Sequence, residues 1–187
     1  MRKLAAAFAL MASPVLVTPA LATGLQIEVA GEGANGTITI DLLEDLAPNH
    51  AARLAELAAE GAYNGVVFHR VIEGFMAQTG DVEHGKEGGN LRRAGTGGSD
   101  KPDLAAEFTS EPFKRGIVGM ARSQNPNSAN SQFFIMFDDG EFLNNQYTVV
   151  GRVTGGMDIV DQIKLGTGGN GAVVGAPDVM KTVTVTE

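Results

Sequence analysis

Arg70 stands in the run Val66-Val67-Phe68-His69-Arg70-Val71-Ile72-Glu73-Gly74-Phe75-Met76-Ala77-Gln78-Thr79-Gly80-Asp81, in the company of an aromatic, a thioether and an amide. An arginine in an apolar strand is costly unless it has a partner or faces a cleft. From the residues alone two readings are open. Arg70 forms an ion pair with Glu73 or Asp81, or it faces a site where its permanent charge acts on a ligand. The segment has no evident nucleophile, no metal-ligand spacing and no general-base pair. A site of this kind can grip and polarise a bound group but is poorly equipped to break a bond.

Other patterns along the chain are weaker. Gly31-x-Gly33-x-x-Gly36 and Gly166-x-Gly168-x-x-Gly171 match a dinucleotide fingerprint. That chemistry needs a strand before the glycines and a helix N-terminus after them. The first run is followed by a strand and the second follows a helix, so both are read as turns. His50, His69 and His84 lie at no metal-pair spacing, and Asp138-Asp139-Gly140-Glu141 is too short for a calcium loop. No metal or cofactor is expected. The chain has no cysteine, which removes thiolate catalysis, cysteine-ligated zinc and disulfides. A net charge of −8 argues against nucleic acid as a partner, because phosphate binding draws on lysine and arginine. Arg92-Arg93, in a glycine-rich stretch, is read as a solvated loop tip.

The elements that must position Arg70 are short strands. Leu25 to Val29 alternates apolar and polar residues, Asn35-Gly36 is a hairpin signal, and Thr37 to Leu42 reads as the partner strand. A helix is expected from Pro48, apolar at Ala51, Leu54, Ala55 and Ala58, until Gly61 stops it. Strands follow at 66–72 and 75–78, with Gly74 as a bend between them, then at 116–121, 132–137, 147–153 and 179–185. Residues 80–115 read as loop, except for a helical turn or short strand at 104–108. A second helix fits 157–165. The 25 glycines, many in runs, favour a β-rich fold of closed or sandwiched antiparallel sheet. The N-terminus has the layout of a secretory signal peptide: basic Arg2-Lys3, an apolar run, then Ala20-Leu21-Ala22. Cleavage after Ala22 is expected, leaving one domain over 23–187. The apolar stretch is broken by Pro14 and Pro19 and is too short to span a bilayer, so no stable membrane insertion is expected. Loss of Arg2 and Lys3 would take the net charge from −8 to −10.

Several motifs, in order, resemble the cyclophilin-type peptidyl-prolyl isomerases. They are Phe68-His69-Arg70-Val71-Ile72-x-Gly74-Phe75-Met76-x-Gln78-x-Gly80-Asp81, Gly95-Thr96-Gly97-Gly98, residues 116–121, Asn130 to Ile135, and Phe142-Leu143-Asn144 leading to Tyr147. The resemblance implies a mainly β fold, a closed eight-stranded antiparallel barrel capped by two α-helices. It also implies rotation about X-Pro bonds of proline-containing polypeptides, with Arg70, Phe75 and Gln78 as the catalytic set. Phe75, Met76, Phe134 and Leu143 would hold the pyrrolidine ring, and Gln78 and Gln132 would orient Arg70 and the substrate backbone. Ala121 and Arg122 would present backbone groups, and His69, Phe142 and Tyr147 would complete the rim. Strand parity turns Phe68 and Phe133 away from that rim, into the core. Phe142 stands where the family often has tryptophan, Tyr147 where it often has histidine, Arg122 where it often has asparagine and Glu73 where it often has proline. The arginine and the pocket survive these departures. The expected role is to assist the folding of exported proteins, as a monomer in a bacterial periplasm or secreted. A non-catalytic chaperone or scaffold of the same fold is the alternative.

Overall fold

Alternation along the first two strands decides which face of the sheet is inside. In the computed structural model, which describes residues 23–187, β1 (Gly24–Ala30) and β2 (Gly36–Leu42) form an antiparallel hairpin. Ile27 lies opposite Ile38 and Leu25 opposite Ile40, and all four are buried. Seven more strands follow: β3 (Val66–Val67), β4 (Arg70–Ile72), β5 (Met76–Thr79), β6 (Ile117–Met120), β7 (Phe133–Met136), β8 (Val149–Gly155) and β9 (Val179–Thr186). They make one antiparallel sheet in the order β3-β9-β1-β2-β8-β6-β7-β5-β4.

The closed eight-stranded barrel implied by the resemblance is not what forms. The sheet has nine strands and is an open, curled half-barrel with β3 and β4 at its edges. The expected single strand over 66–72 splits at Phe68-His69. Its first half pairs with β9 and its second half with β5, so the chain links the two edges covalently where no ladder does. The Phe68 N–H donates to the Asp178 carbonyl at 2.9 Å, and the His69 carbonyl accepts from Val173 at 3.0 Å. The far side of β4 is therefore met by a loop, with Gly166 N–H on the Val71 carbonyl at 2.9 Å and a bridge between Arg70 and Ala172.

Helix α1 (Pro48–Ala59) begins with proline in its first turn and buries Ala51, Leu54, Leu57 and Ala58 against the sheet. Gly61, at φ +70°, turns the chain out of it. Helix α2 (Met157–Val160) is one turn long, shorter than the span expected at 157–165. The chain leaves it because Lys164 N–H is drawn to the Asp178 carboxylate and Gly166 N–H to Val71. Residues 104–108 make only an isolated bridge, Leu104 with Ala129. Two apolar clusters result. The main core holds Leu25, Ile27, Ile38, Leu54, Phe68 and Phe133. The second holds Met76, Phe113, Ile117, Phe134, Met136 and Leu143. Phe133 and Phe134 fall into different clusters because neighbours in a strand face opposite ways.

Asp178 joins three segments distant in sequence. It is fully buried, and its carboxylate accepts from Gly33, Ala34 and Lys164 N–H at 2.9, 3.1 and 2.7 Å. Each hydrogen bond to a charged acceptor contributes roughly 1.5–3 kcal/mol, and a buried donor left without a partner costs a similar amount. Asp178→Ala is expected to lower the unfolding free energy by about 3 kcal/mol or more, seen as a fall in the urea midpoint with the slope unchanged. A midpoint that stays put would remove Asp178 from the account.

Candidate active site

Strand pairing sets the site residues in a row. Arg70 on β4 lies opposite Gln78 on β5, Gln78 opposite Phe134 on β7, and Phe134 opposite Gly119 on β6. Directly opposed residues share a face of the sheet, so three strands present Arg70, Gln78 and Phe134 side by side. Position 119 takes only glycine, because a Cβ there would run into the Phe134 and Phe113 rings. Those two rings stack with centroids 5.8 Å apart.

The ion pair left open for Arg70 is absent among the described residues. Glu73 is exposed, and the buried Asp81 carboxylate accepts backbone N–H groups from Glu83, His84, Gly95 and Gly97 at 2.7–3.1 Å. Burial works against the charge of Asp81, but the four donations outweigh it and hold the carboxyl below its usual range. Arg70 is braced by neutral acceptors instead. Nη1 donates to Gln78 Oε1 at 3.1 Å, with the Met76 sulfur 3.9 Å away. Nε donates to the Asn170 carbonyl at 3.0 Å and Nη2 to Asn170 Oδ1 at 3.2 Å. Burial lowers the pKa of Arg70 from its ordinary value, with no carboxylate to oppose it. The Gln78 amide is itself held: its Nε2 donates to Gln132 Oε1 at 2.9 Å, and Gln132 Nε2 donates to the Gly97 carbonyl at 2.8 Å.

A cavity of about 380 Å³ opens beside the guanidinium, floored by the second apolar cluster. Phe75, Met76, Phe134, Leu143, Phe142 and Tyr147 wall it, together with Ala121 and Arg122. Phe142 is 65 % exposed at the mouth, its ring 5.4 Å from that of Phe75. Tyr147 meets Phe134 edge-on at 5.8 Å. The Arg122 guanidinium lies 4.4 Å over the Tyr147 ring and donates through Nε and Nη2 to the Gln146 carbonyl. A second hollow of about 530 Å³ continues from the first, sharing Gln78, Ala121 and Arg122 and adding Gln132. The Ala121 N–H is already engaged by the Gln132 carbonyl at 2.9 Å.

Eleven of the residues singled out in the sequence thus converge on two adjoining hollows. His69 does not join them. It is buried under Gly95 and lines a third recess, which borders the other two at Arg70, Gln78 and Gly95, and it lies at the Phe68-His69 break between β3 and β4. Asn170 and Gln146 are not among the residues expected at the site, and Gly97, part of a motif that carries the resemblance, contributes through its carbonyl. Asn170-Gly171 reads as a turn, and no local signal places that turn against an arginine 100 residues away.

Comparison with known proteins agrees with this geometry. Residues 25–185 match the family described as cyclophilin type peptidyl-prolyl cis-trans isomerase/CLD. A probable peptidyl-prolyl cis-trans isomerase from Brucella suis is 61 % identical over 153 residues, which cover 81 % of this chain and 78 % of the relative. Peptidyl-prolyl cis-trans isomerase B of Escherichia coli is 35 % identical over 175 residues, covering 82 % of this chain and 96 % of that one. Among solved structures, a cyclophilin from Hirschia baltica superposes with a TM-score of 0.68 at 25 % identity, over 86 % of this chain and 73 % of that one. A Cryptosporidium parvum cyclophilin type isomerase, solved in the presence of the dipeptide Ala-Pro, gives 0.72 at 23 % identity, over 88 % of this chain and 99 % of that one; this likeness concerns the fold.

His69 supplies a pH signature. Neither ring nitrogen makes a hydrogen bond of good geometry, and burial drives its pKa from 6.5 to about 4, only partly offset by Asp81 and the Val67 carbonyl. As pH falls from about 6.5 to about 4 the unfolded chain takes up a proton that the folded chain refuses. Stability contributed by neutral His69 is therefore lost across that window and level above it. Denaturant titrations at pH 7 and pH 4 should show wild type losing on the order of 2–3 kcal/mol more than His69→Phe. Parallel losses in the two proteins would exclude His69 as the cause.

Proposed function

The chain belongs to the cyclophilin-type peptidyl-prolyl cis-trans isomerases, and we propose that its catalysis rests on the neutrally braced guanidinium of Arg70. The reaction is rotation about an X-Pro peptide bond. The barrier, about 18–20 kcal/mol for a peptide bond, arises from resonance that gives C–N double-bond character. No covalent bond changes, so no nucleophile or base is needed. In the twisted state the proline nitrogen becomes pyramidal and carries a lone pair. Phe75, Met76, Phe134 and Leu143 seat the pyrrolidine ring, and Arg70 donates to the proline carbonyl and to that nitrogen. These bonds strengthen as the bond twists, which is binding directed at the transition state.

The observation that carries this reading is the absence of a carboxylate on Arg70. A carboxylate would cancel much of its field, whereas Gln78 and Asn170 hold the fork and leave the charge available. The substrates are proline-containing polypeptides, in keeping with the Ala-Pro dipeptide used with the Cryptosporidium parvum relative. The basic start, apolar run and Ala20-Leu21-Ala22, which lie outside the described residues, support removal of residues 1–22 as a signal peptide and a role in folding exported proteins, in a periplasm or after secretion.

Arg70→Ala should lower kcat/KM on a short X-Pro peptide by about 10²- to 10³-fold with the melting temperature little changed, and Arg70→Lys should recover little of it. A wild-type protein that binds proline peptides without accelerating their isomerisation would instead favour the non-catalytic chaperone. Mass spectrometry of the full-length chain expressed in a Gram-negative host should find the mature N-terminus at Thr23. Recovery with Met1 to Ala22 intact would sink the export reading.

A further inference from the structure

One edge of the Arg70 fork is held by a loop and not by the sheet. Both N–H groups on that edge reach the same residue, Nε the Asn170 carbonyl at 3.0 Å and Nη2 its Oδ1 at 3.2 Å. Two parallel bonds fix the plane of a guanidinium as well as its position. Asn170 is in the left-handed region, φ 56° and ψ 29°, and only Asn145 shares a positive φ among the described non-glycine residues. Glycine and asparagine tolerate that conformation best, and of the two only asparagine brings a side-chain acceptor.

The loop is itself pinned to β4. Gly166 N–H donates to the Val71 carbonyl and Val173 N–H to the His69 carbonyl, at 2.9 and 3.0 Å, while Gly168 N–H closes on the Ala172 carbonyl at 2.9 Å. A Cβ on Gly171 would run into the Ile72 side chain, so the loop packs closely on β4 at this point. The rigid partner of Arg70 thus arrives from the segment that meets the free side of β4.

We propose that Asn170 is a positioning residue for the isomerisation, clamping the outer edge of Arg70 so that its remaining donor capacity stays aimed at the proline. This rests on Arg70 acting as described above. Gln78 holds Nη1 alone, and a fork held at one corner can rotate. A small misplacement of a catalytic group can cost up to about 10²-fold in rate. The loss should appear in kcat, since Arg70 acts on the twisted state, and KM should stay within about twofold.

Asn170→Gly is the test, because glycine keeps the left-handed backbone and its carbonyl while removing Oδ1. A roughly tenfold fall in kcat is expected, with no further fall when the same change is made in Arg70→Ala. Asn170→Asp keeps an acceptor on Nη2 but sets a carboxylate against the guanidinium, so it should hold the fork and still leave kcat several-fold below wild type. Hydrogen exchange of the Arg70 Nη2–H groups, followed by NMR, should quicken in Asn170→Gly, which a purely structural role for the loop would not produce. If Arg70→Ala is as fast as wild type, the reading of Arg70 fails and this one with it. If Arg70→Ala is slow but Asn170→Gly keeps wild-type kcat, or slows Arg70→Ala equally, the clamp alone is overturned.

Discussion

A charged guanidinium at the edge of an apolar cavity must be held without being neutralised, and much of this molecule is arranged to meet that condition. Burial alone would drive the charge out or call in a carboxylate. The buried carboxylate of Asp81 is occupied by four backbone N–H groups and serves to shape the loop at 83–97. The work of holding Arg70 passes to amides: Gln78 from the neighbouring strand, steadied through Gln132 by the Gly97 carbonyl, and Asn170 from a distant loop. A chain of neutral hydrogen bonds gives direction at little cost to the field.

The open sheet is part of the same solution. In a fully laddered barrel the backbone of β4 would be paired on both sides by strands. Here β5 takes one side and residues 166–173 meet the other, and a loop can turn a side chain and a carbonyl toward Arg70 together. The two apolar clusters divide the remaining labour. The main core, from Leu25 to Val183, holds the sheet and α1 together in a chain that has no disulfide to do so. The second cluster stiffens the cavity floor, and each large apolar side chain buried there contributes roughly 1.5–3 kcal/mol.

Rotation about a peptide bond is a reaction suited to such a site. Since no bond is made or broken, the rate depends on how much better the enzyme binds the twisted state than the planar one. That difference comes from fixed dipoles and charges that need no rearrangement. The stacking of Arg122 on Tyr147 and its bonds to Gln146 brace the opposite wall in the same manner, tying the loop at 121–125 to the loop at 142–147.

Part of the site was legible in the sequence. Arg70 stands out as a charge in an apolar strand, Gln78 and Phe134 enter through the motifs that carry the family resemblance, and Phe133 is turned away by its parity with Phe134. The burial of His69 was not legible, because it lies where the strand breaks, and the break itself depends on Asp178 and Val173 reaching in from over 100 residues away. The same distance hid Asn170: a turn of glycines and one asparagine has no local mark of what it will touch. The sequence by itself determined most of the element types and the lack of any reactive group, since these depend on local propensity and side-chain chemistry. Only the tertiary structure decided that Arg70 is braced by neutral acceptors and that the sheet stays open at β4, because both rest on hydrogen bonds between segments that the chain does not bring together until it folds.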